Sequence, residues 1–203
     1  NESPDASVYP TPVIGMVGLI ENLDNITTAE FKSEDDLIYL LGEDFEEIGG
    51  SEYLKVIHGL VTGESPRLDL QTEKDLHTTI LKLIDKQLIN SAHDISEGGI
   101  FTSLAESCII NREKKIGAKV NLHIKTREDF SFFSESQSRV VVSVSPDKKD
   151  DFEKELSKSF SPFALIGITG GESFTVNDQY SFSLNHLGDL YYNSIQKKMN
   201  VLV

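Results

Sequence analysis

The order of apolar and polar positions divides the chain into strand-like and helix-like stretches. Asp36 to Gly42 holds a nearly continuous apolar run, Leu37-Ile38-Tyr39-Leu40-Leu41, closed by an acid and a glycine. Such a run fits a central strand covered on both faces. Ser51 is the expected N-cap of a short helix carrying Tyr53, Leu54, Ile57 and Leu60. Leu76, Ile80, Leu83, Ile84 and Leu88 then share one helical face, with Thr72 as the expected N-cap. A short buried strand is predicted within the polar stretch that opens at Ser91. It runs through a tight turn into Ile100, Phe101, Leu104, Ala105, Cys108 and Ile109 at helical spacing.

In the second half, residues 118–124 alternate, which puts Val120, Leu122 and Ile124 inward on a strand. Residues 125–134 read as a loop with a helical turn. Val140–Val144 is a β-branched strand. Residues 147–160 form a helix with Phe152, Leu156 and Phe160 inward, and Phe163–Thr169 is a further buried strand. A hairpin turns at Asn177-Asp178. A last helix runs from Gly188, with Leu187, Leu190, Tyr191, Ile195 and Met199 expected inward. Near the start, Val17–Glu21 reads as a short strand. Residues 1–15 hold three of the six prolines and read as an extended connector. Strands alternating with helices, then a terminal hairpin, predict an α+β fold: a layered domain on a mixed sheet.

Composition narrows the function. The 203 residues are 38% apolar and 26% charged, as in a globular protein. Lys plus Arg number 19 against 33 Asp plus Glu, a net charge of -14. That field repels phosphate backbones, so no nucleic acid partner is expected. No apolar run has the length of a membrane span, so no membrane partner is expected either. Cys108, the single cysteine, lies on an apolar helical face and reads as a core residue of a reducing compartment. The chain opens without Met inside a Pro-rich stretch and reads as a piece of something longer.

Two polar clusters are candidates for chemistry. Ser91-Ala92-His93-Asp94-Ile95-Ser96-Glu97-Gly98-Gly99 sits where a strand turns into a helix. It can form an anion or metal site, or a turn whose side chains serve only backbone groups. On a strand His93 and Asp94 point to opposite faces, so they are not expected to form one hydrogen-bonded pair. The other histidines are scattered, with no zinc spacing. Glu135-Ser136-Gln137-Ser138-Arg139 stands at a strand entrance. Gln137 and Ser136 suit carboxamides or hydroxyls, and Arg139 suits a phosphate or carboxylate; a solvated strand start is the other reading. Gly49-Gly50-Ser51 and Gly170-Gly171 lack the spacing and lysine of a phosphate loop, and no nucleophile elbow is present.

Four stretches in order, Pro10-Thr11-Pro12-Val13-Ile14-Gly15, Gly49-Gly50-Ser51-Glu52-Tyr53, Ala92–Gly99 and Glu135–Arg139, carry a family resemblance. The chain resembles the C-terminal part of the phosphoribosylformylglycinamidine synthase family, in its multi-subunit form. The turn motif alone also fits the wider superfamily: aminoimidazole ribonucleotide synthetase, selenophosphate synthetase, thiamine monophosphate kinase and a hydrogenase maturation enzyme. The resemblance implies a three-layer α/β/α domain with a mixed sheet, related to the ferredoxin-like topology. Residues 1–15 would be the tail of a preceding ATP-binding domain and residues 16–203 the C-terminal α/β domain.

For the whole protein the resemblance implies a cytoplasmic, ATP- and magnesium-dependent carbon–nitrogen ligase of purine biosynthesis. Its implied partners are its own N-terminal domains, a glutaminase subunit and a small accessory subunit. The family's catalytic residues would lie in those N-terminal domains, so the fragment itself is expected to be inactive and to need no cofactor. His93, Asp94, Glu97, Glu135, Ser136, Gln137 and Arg139 would line an auxiliary, pseudo-symmetric site and none would be catalytic. A related superfamily enzyme, or a non-catalytic module forming a homodimer through exposed apolar surface, stays open as an alternative.

Overall fold

The computed structural model describes residues 13–160 and 162–201. The Pro10-Thr11-Pro12 stretch lies outside them. Seven strands form one sheet: β1 (Leu37–Leu41), β2 (Ser91–Asp94), β3 (Ala118–Val120), β4 (Val140–Val144), β5 (Phe163–Thr169), β6 (Ser173–Val176) and β7 (Tyr180–Ser183). Their order is β2-β4-β1-β5-β3-β6-β7. Every neighbouring pair is antiparallel except β3 with β6. The helices are α1 (Glu52–His58), α2 (Leu70–Asp85), α3 (Gly99–Ile109), α4 (Glu128–Phe133), α5 (Lys149–Ser159) and α6 (Leu184–Val201).

The apolar runs of β1 and β4 serve two cores. Tyr39, Leu41, Val142 and Val144 meet Leu76 and Leu83 of α2 and Phe152 and Leu156 of α5 on one face. Ile38, Val141, Val120 and Ile166 meet Ile100, Leu104 and Cys108 of α3 and Phe132 of α4 on the other. Each fully buried Leu or Phe contributes roughly 1.5–3 kcal/mol relative to exposure. Alternate residues of one strand thus enter different cores, and the sheet sits between two helical layers. This is the α+β, three-layer arrangement expected. Cys108 is buried, and burial pushes its thiol pKa far up, which leaves it inert.

Several expectations need correction. Val17–Glu21 forms no strand; it is irregular and exposed, with no neighbouring strand among the described residues to take its backbone bonds. The cap of α2 is Asp69, whose Oδ1 accepts from the Thr72 amide at 2.7 Å, so the helix starts earlier than Thr72 suggests. β3 ends at Val120 because Leu122 N–H donates to the Asn177 side chain at 2.7 Å. The hairpin turn does fall at Asn177-Asp178, with φ of 54° and 53°, as a primed turn requires.

The largest correction concerns α6. It begins at Leu184, and only its first half rests on the domain. Leu184 is buried, and Tyr192 Oη donates to the carbonyls of Ile109 and Ile110. Leu190, Tyr191, Ile195 and Met199 are exposed rather than inward. Apolar spacing marks a face for burial, and no described element reaches this one.

Candidate functional site

Both polar clusters lie at the same end of the sheet. β4 starts there after Glu135–Arg139, and β2 ends there in the turn to α3. Register pairs Asp94 with Val140 and His93 with Val141.

Strand alternation sends His93 under α3 and Asp94 toward α2. The His93 ring is clamped on both nitrogens. Nδ1–H donates to the Asp94 carbonyl oxygen at 2.8 Å, and Nε2 lies 3.1 Å from Oε2 of Glu106 on α3. The Glu106 hydrogen bond raises the His93 pKa against the opposing effect of burial. Two acceptors around one ring favour the imidazolium. The Asp94 carboxylate is not hydrogen-bonded to the ring, lying 3.5 Å from Nδ1, and is about 75% exposed. Glu97 is exposed at the turn.

The turn is tight because Gly98 and Gly99 have φ of 80° and 67°. A Cβ on Gly99 would stand 2.6 Å from the carbonyl oxygens of Phe132 and Ser134, so α3 can start here only with glycine. The close approach brings Glu135 to two helix starts. Its Oε1 accepts from Gly98 N–H at 2.8 Å and from Glu52 N–H of α1 at 2.9 Å. The Glu135 carboxylate itself therefore meets the amides that an anion would seek.

Arg139 is turned inward, with none of its side chain exposed. Nε donates to the Ser136 carbonyl at 2.9 Å and Nη2 to the Ser134 carbonyl at 2.7 Å. Nη1 lies 3.6 Å from Asp44 Oδ1, which accepts from Ser134 Oγ at 2.7 Å. Ser136 is fully buried, and its Oγ accepts from Phe45 N–H at 3.2 Å. The guanidinium thus ties the 134–136 loop to Asp44, and a clamp on an external anion would require that loop to open. Sequence reasoning missed Asp44; its only signal is the acid two residues beyond the glycine that closes β1.

Gln137 and Ser138 stand between two cavities. One, of about 530 Å³, lies between α2 and the β2–β4 edge. Glu73, His77, Asp94 and Ser96 give it a polar end, and Leu76 and Ile80 an apolar wall. The other, of about 480 Å³, is lined by Glu43, Arg67, Asp69 and Thr72. Ser138, at φ 59°, donates to Glu73 Oε2 at 2.5 Å, and His77 meets the other Glu73 oxygen at 2.8 Å. Of the expected site residues, Asp94, Gln137 and Arg139 therefore border the larger cavity. His93 faces α3, and Glu135 and Ser136 are engaged inside the fold. Among the described residues no three His, Cys, Asp or Glu converge as a metal site.

Residues 33–178 match the family described as AIR synthase related protein, C-terminal domain. The chain is 48% identical over 177 residues to phosphoribosylformylglycinamidine synthase subunit PurL of Caldanaerobacter subterraneus subsp. tengcongensis, covering 87% of this chain and 24% of that protein. It is 41% identical over 202 residues to the Moorella thermoacetica subunit, covering 96% of this chain and 27% of that one. In fold it is similar to Thermotoga maritima PurL complexed with ATP, at a TM-score of 0.63 and 17% identity over 82% of this chain and 28% of that one. PurLQS from the same organism gives 0.61 and 20%, over 82% and 28%. The chain spans about a quarter of the length of the curated relatives it matches. On the match over residues 33–178, which carries six of the seven strands, most of the two cores and both polar motifs, the chain belongs to the AIR synthase related protein, C-terminal domain family.

Proposed function

We propose that this chain is the C-terminal α/β domain of a phosphoribosylformylglycinamidine synthase of the PurL type. It acts within a longer polypeptide that supplies the ATP-binding domains. The reaction is the ATP-dependent conversion of formylglycinamide ribonucleotide to its amidine with glutamine-derived ammonia. The observation that carries this reading is the 41% identity over 202 residues with a PurL subunit almost four times as long. On this reading residues 1–15 leave the preceding ATP-binding domain and residues 16–203 form the C-terminal domain. The enzyme is cytoplasmic and works with a glutaminase subunit and a small accessory subunit. The solved PurLQS assembly of T. maritima supports partners of that kind.

The site geometry supports an auxiliary role for this domain. Glu135, Ser136 and Arg139 are held in internal contacts and brace the strand entrance. Asp94 and Gln137 face the larger cavity and are free to meet a ligand held mainly by another domain. ATP bound to a relative of the same fold supports a nucleotide as that ligand. Magnesium fits here only in part: Asp94 offers one exposed carboxylate, and a magnesium ion takes its remaining oxygens from phosphates and water. When bound, it would offset phosphate charge.

The test is ammonia-dependent turnover of formylglycinamide ribonucleotide with ATP. The full-length polypeptide is expected to turn over and the 203-residue chain alone to be silent. Turnover by the chain alone, or none by the full-length protein, overturns the reading. Titration of full-length protein with ADP and magnesium addresses the auxiliary site. Asp94→Ala is expected to weaken binding roughly tenfold, the loss of one charge-assisted contact; unchanged affinity removes Asp94 from the site.

A further inference from the structure

The exposed stripe on α6 has no counterpart in the two cores. Tyr191, Ile195 and Met199 recur at four-residue steps along one side, with Ile195 74% and Met199 63% exposed. Tyr192, bound to the carbonyls that end α3, is the last residue of α6 whose side chain is anchored to another element of the described fold. Beyond it the helix has under three turns and no tertiary support among the described residues. Segments shorter than about 12–15 residues are marginal as helices in water on their own. Apolar residues at three- and four-residue steps are the pattern of a helix whose missing stabilisation comes from a partner surface.

We propose that this stripe is a docking surface for another domain of the same polypeptide. The inference rests on the reading of the chain as part of a longer synthase. The family match stops at residue 178 and leaves α6 outside the shared domain. The M. thermoacetica relative aligns over 96% of this chain, which omits too few residues to skip an 18-residue helix, and most of that protein lies outside the alignment. The match also stops before β7, a strand of the sheet, so what marks α6 is that a much longer relative aligns through it. A second copy of this chain is a poorer occupant, since a net charge of -14 opposes self-association. Lys198, beside Met199, gives the stripe a basic margin suited to an acidic partner surface, while Lys197 is paired with Asp189 within the helix.

Hydrogen–deuterium exchange of residues 190–199 in the full-length polypeptide and in the 203-residue chain tests the proposal. Docking slows exchange at least about tenfold in the full-length protein. Ile195→Glu erases that slowing while α3 stays protected, and Gln196→Glu, also exposed, leaves it intact. Equal exchange in the two proteins overturns the proposal. So does slowing in the short chain that grows with protein concentration, which assigns the stripe to a second copy. If mass analysis finds the native α6 peptide in a polypeptide of only about 22.6 kDa, the synthase reading itself falls. Fast exchange within a long polypeptide removes the docking alone.

Discussion

At Glu135–Arg139 the charged groups are turned into the fold, whereas at Asp94 and Glu97 the carboxylates remain in water. The two clusters have similar composition and stand at the same end of the sheet. Their strands differ. β4 lies between β2 and β1, and its entrance is crowded by α1, α3 and the Asp44 loop. β2 is an edge strand, and its exit faces a cavity. A polar residue beside a central strand has to find partners inside or destabilise the fold. One beside an edge strand can stay hydrated and remain available to a ligand. Position in the sheet, rather than residue type, separates the internally bonded Glu135 and Arg139 from the hydrated carboxylates of Asp94 and Glu97.

The most severe challenge to this comparison is Arg139→Ala. It leaves two loop carbonyls without their donor and Asp44 without its neighbouring cation inside the fold. Removing one member of a buried charged pair costs about 3–5 kcal/mol. A loss of that size is expected in urea or guanidinium unfolding. A loss under about 1 kcal/mol would place Arg139 with the solvated residues. Glu135→Ala comes next. It frees two helix-start amides that share one carboxylate oxygen, and a loss of about 1–3 kcal/mol is expected. Faster exchange at Gly98 and Glu52 should accompany it.

His93 sharpens the comparison through pH. Its pKa is raised in the fold by Glu106, so the imidazolium contributes stability fully below the unfolded value near 6.5 and loses it as pH rises through the folded value. The thermal midpoint is expected to fall across that window, with a shallower fall in His93→Gln. Equal slopes would detach the histidine from β2–α3 packing. The smallest effect belongs to Asp94→Ala, expected within about 0.5 kcal/mol of the parent because its carboxylate is exposed and bears no hydrogen bond. A larger loss would move Asp94 to the scaffold side.

Much of the scaffold was legible in the pattern of residues. The apolar runs at Leu37–Leu41 and Val140–Val144 mark strands because both of their faces need cover. Leu76, Ile80 and Leu83 mark one side of a helix because only one side is covered. Asn177-Asp178 marks a hairpin because its turn needs two positive φ values. Where an element's limit depends on a distant partner, the sequence was silent. β3 stops where Asn177 takes the Leu122 amide, 55 residues away. Val17–Glu21 has strand-like residues and no neighbouring strand among the described residues.

The sequence by itself determined the class of fold, the two apolar faces of the sheet and the existence of two polar turns, because these follow from local periodicity and backbone preference. Only the tertiary structure decided what the polar turns do. Glu135 becomes a cap for two helices because α1 and α3 begin on either side of it. Arg139 becomes a strut because Asp44 lies across the loop, and Asp94 stays free because β2 has a neighbour on only one side over most of its length. Such assignments depend on which charges and amides converge from distant parts of the chain, and residue spacing along one strand carries no record of that.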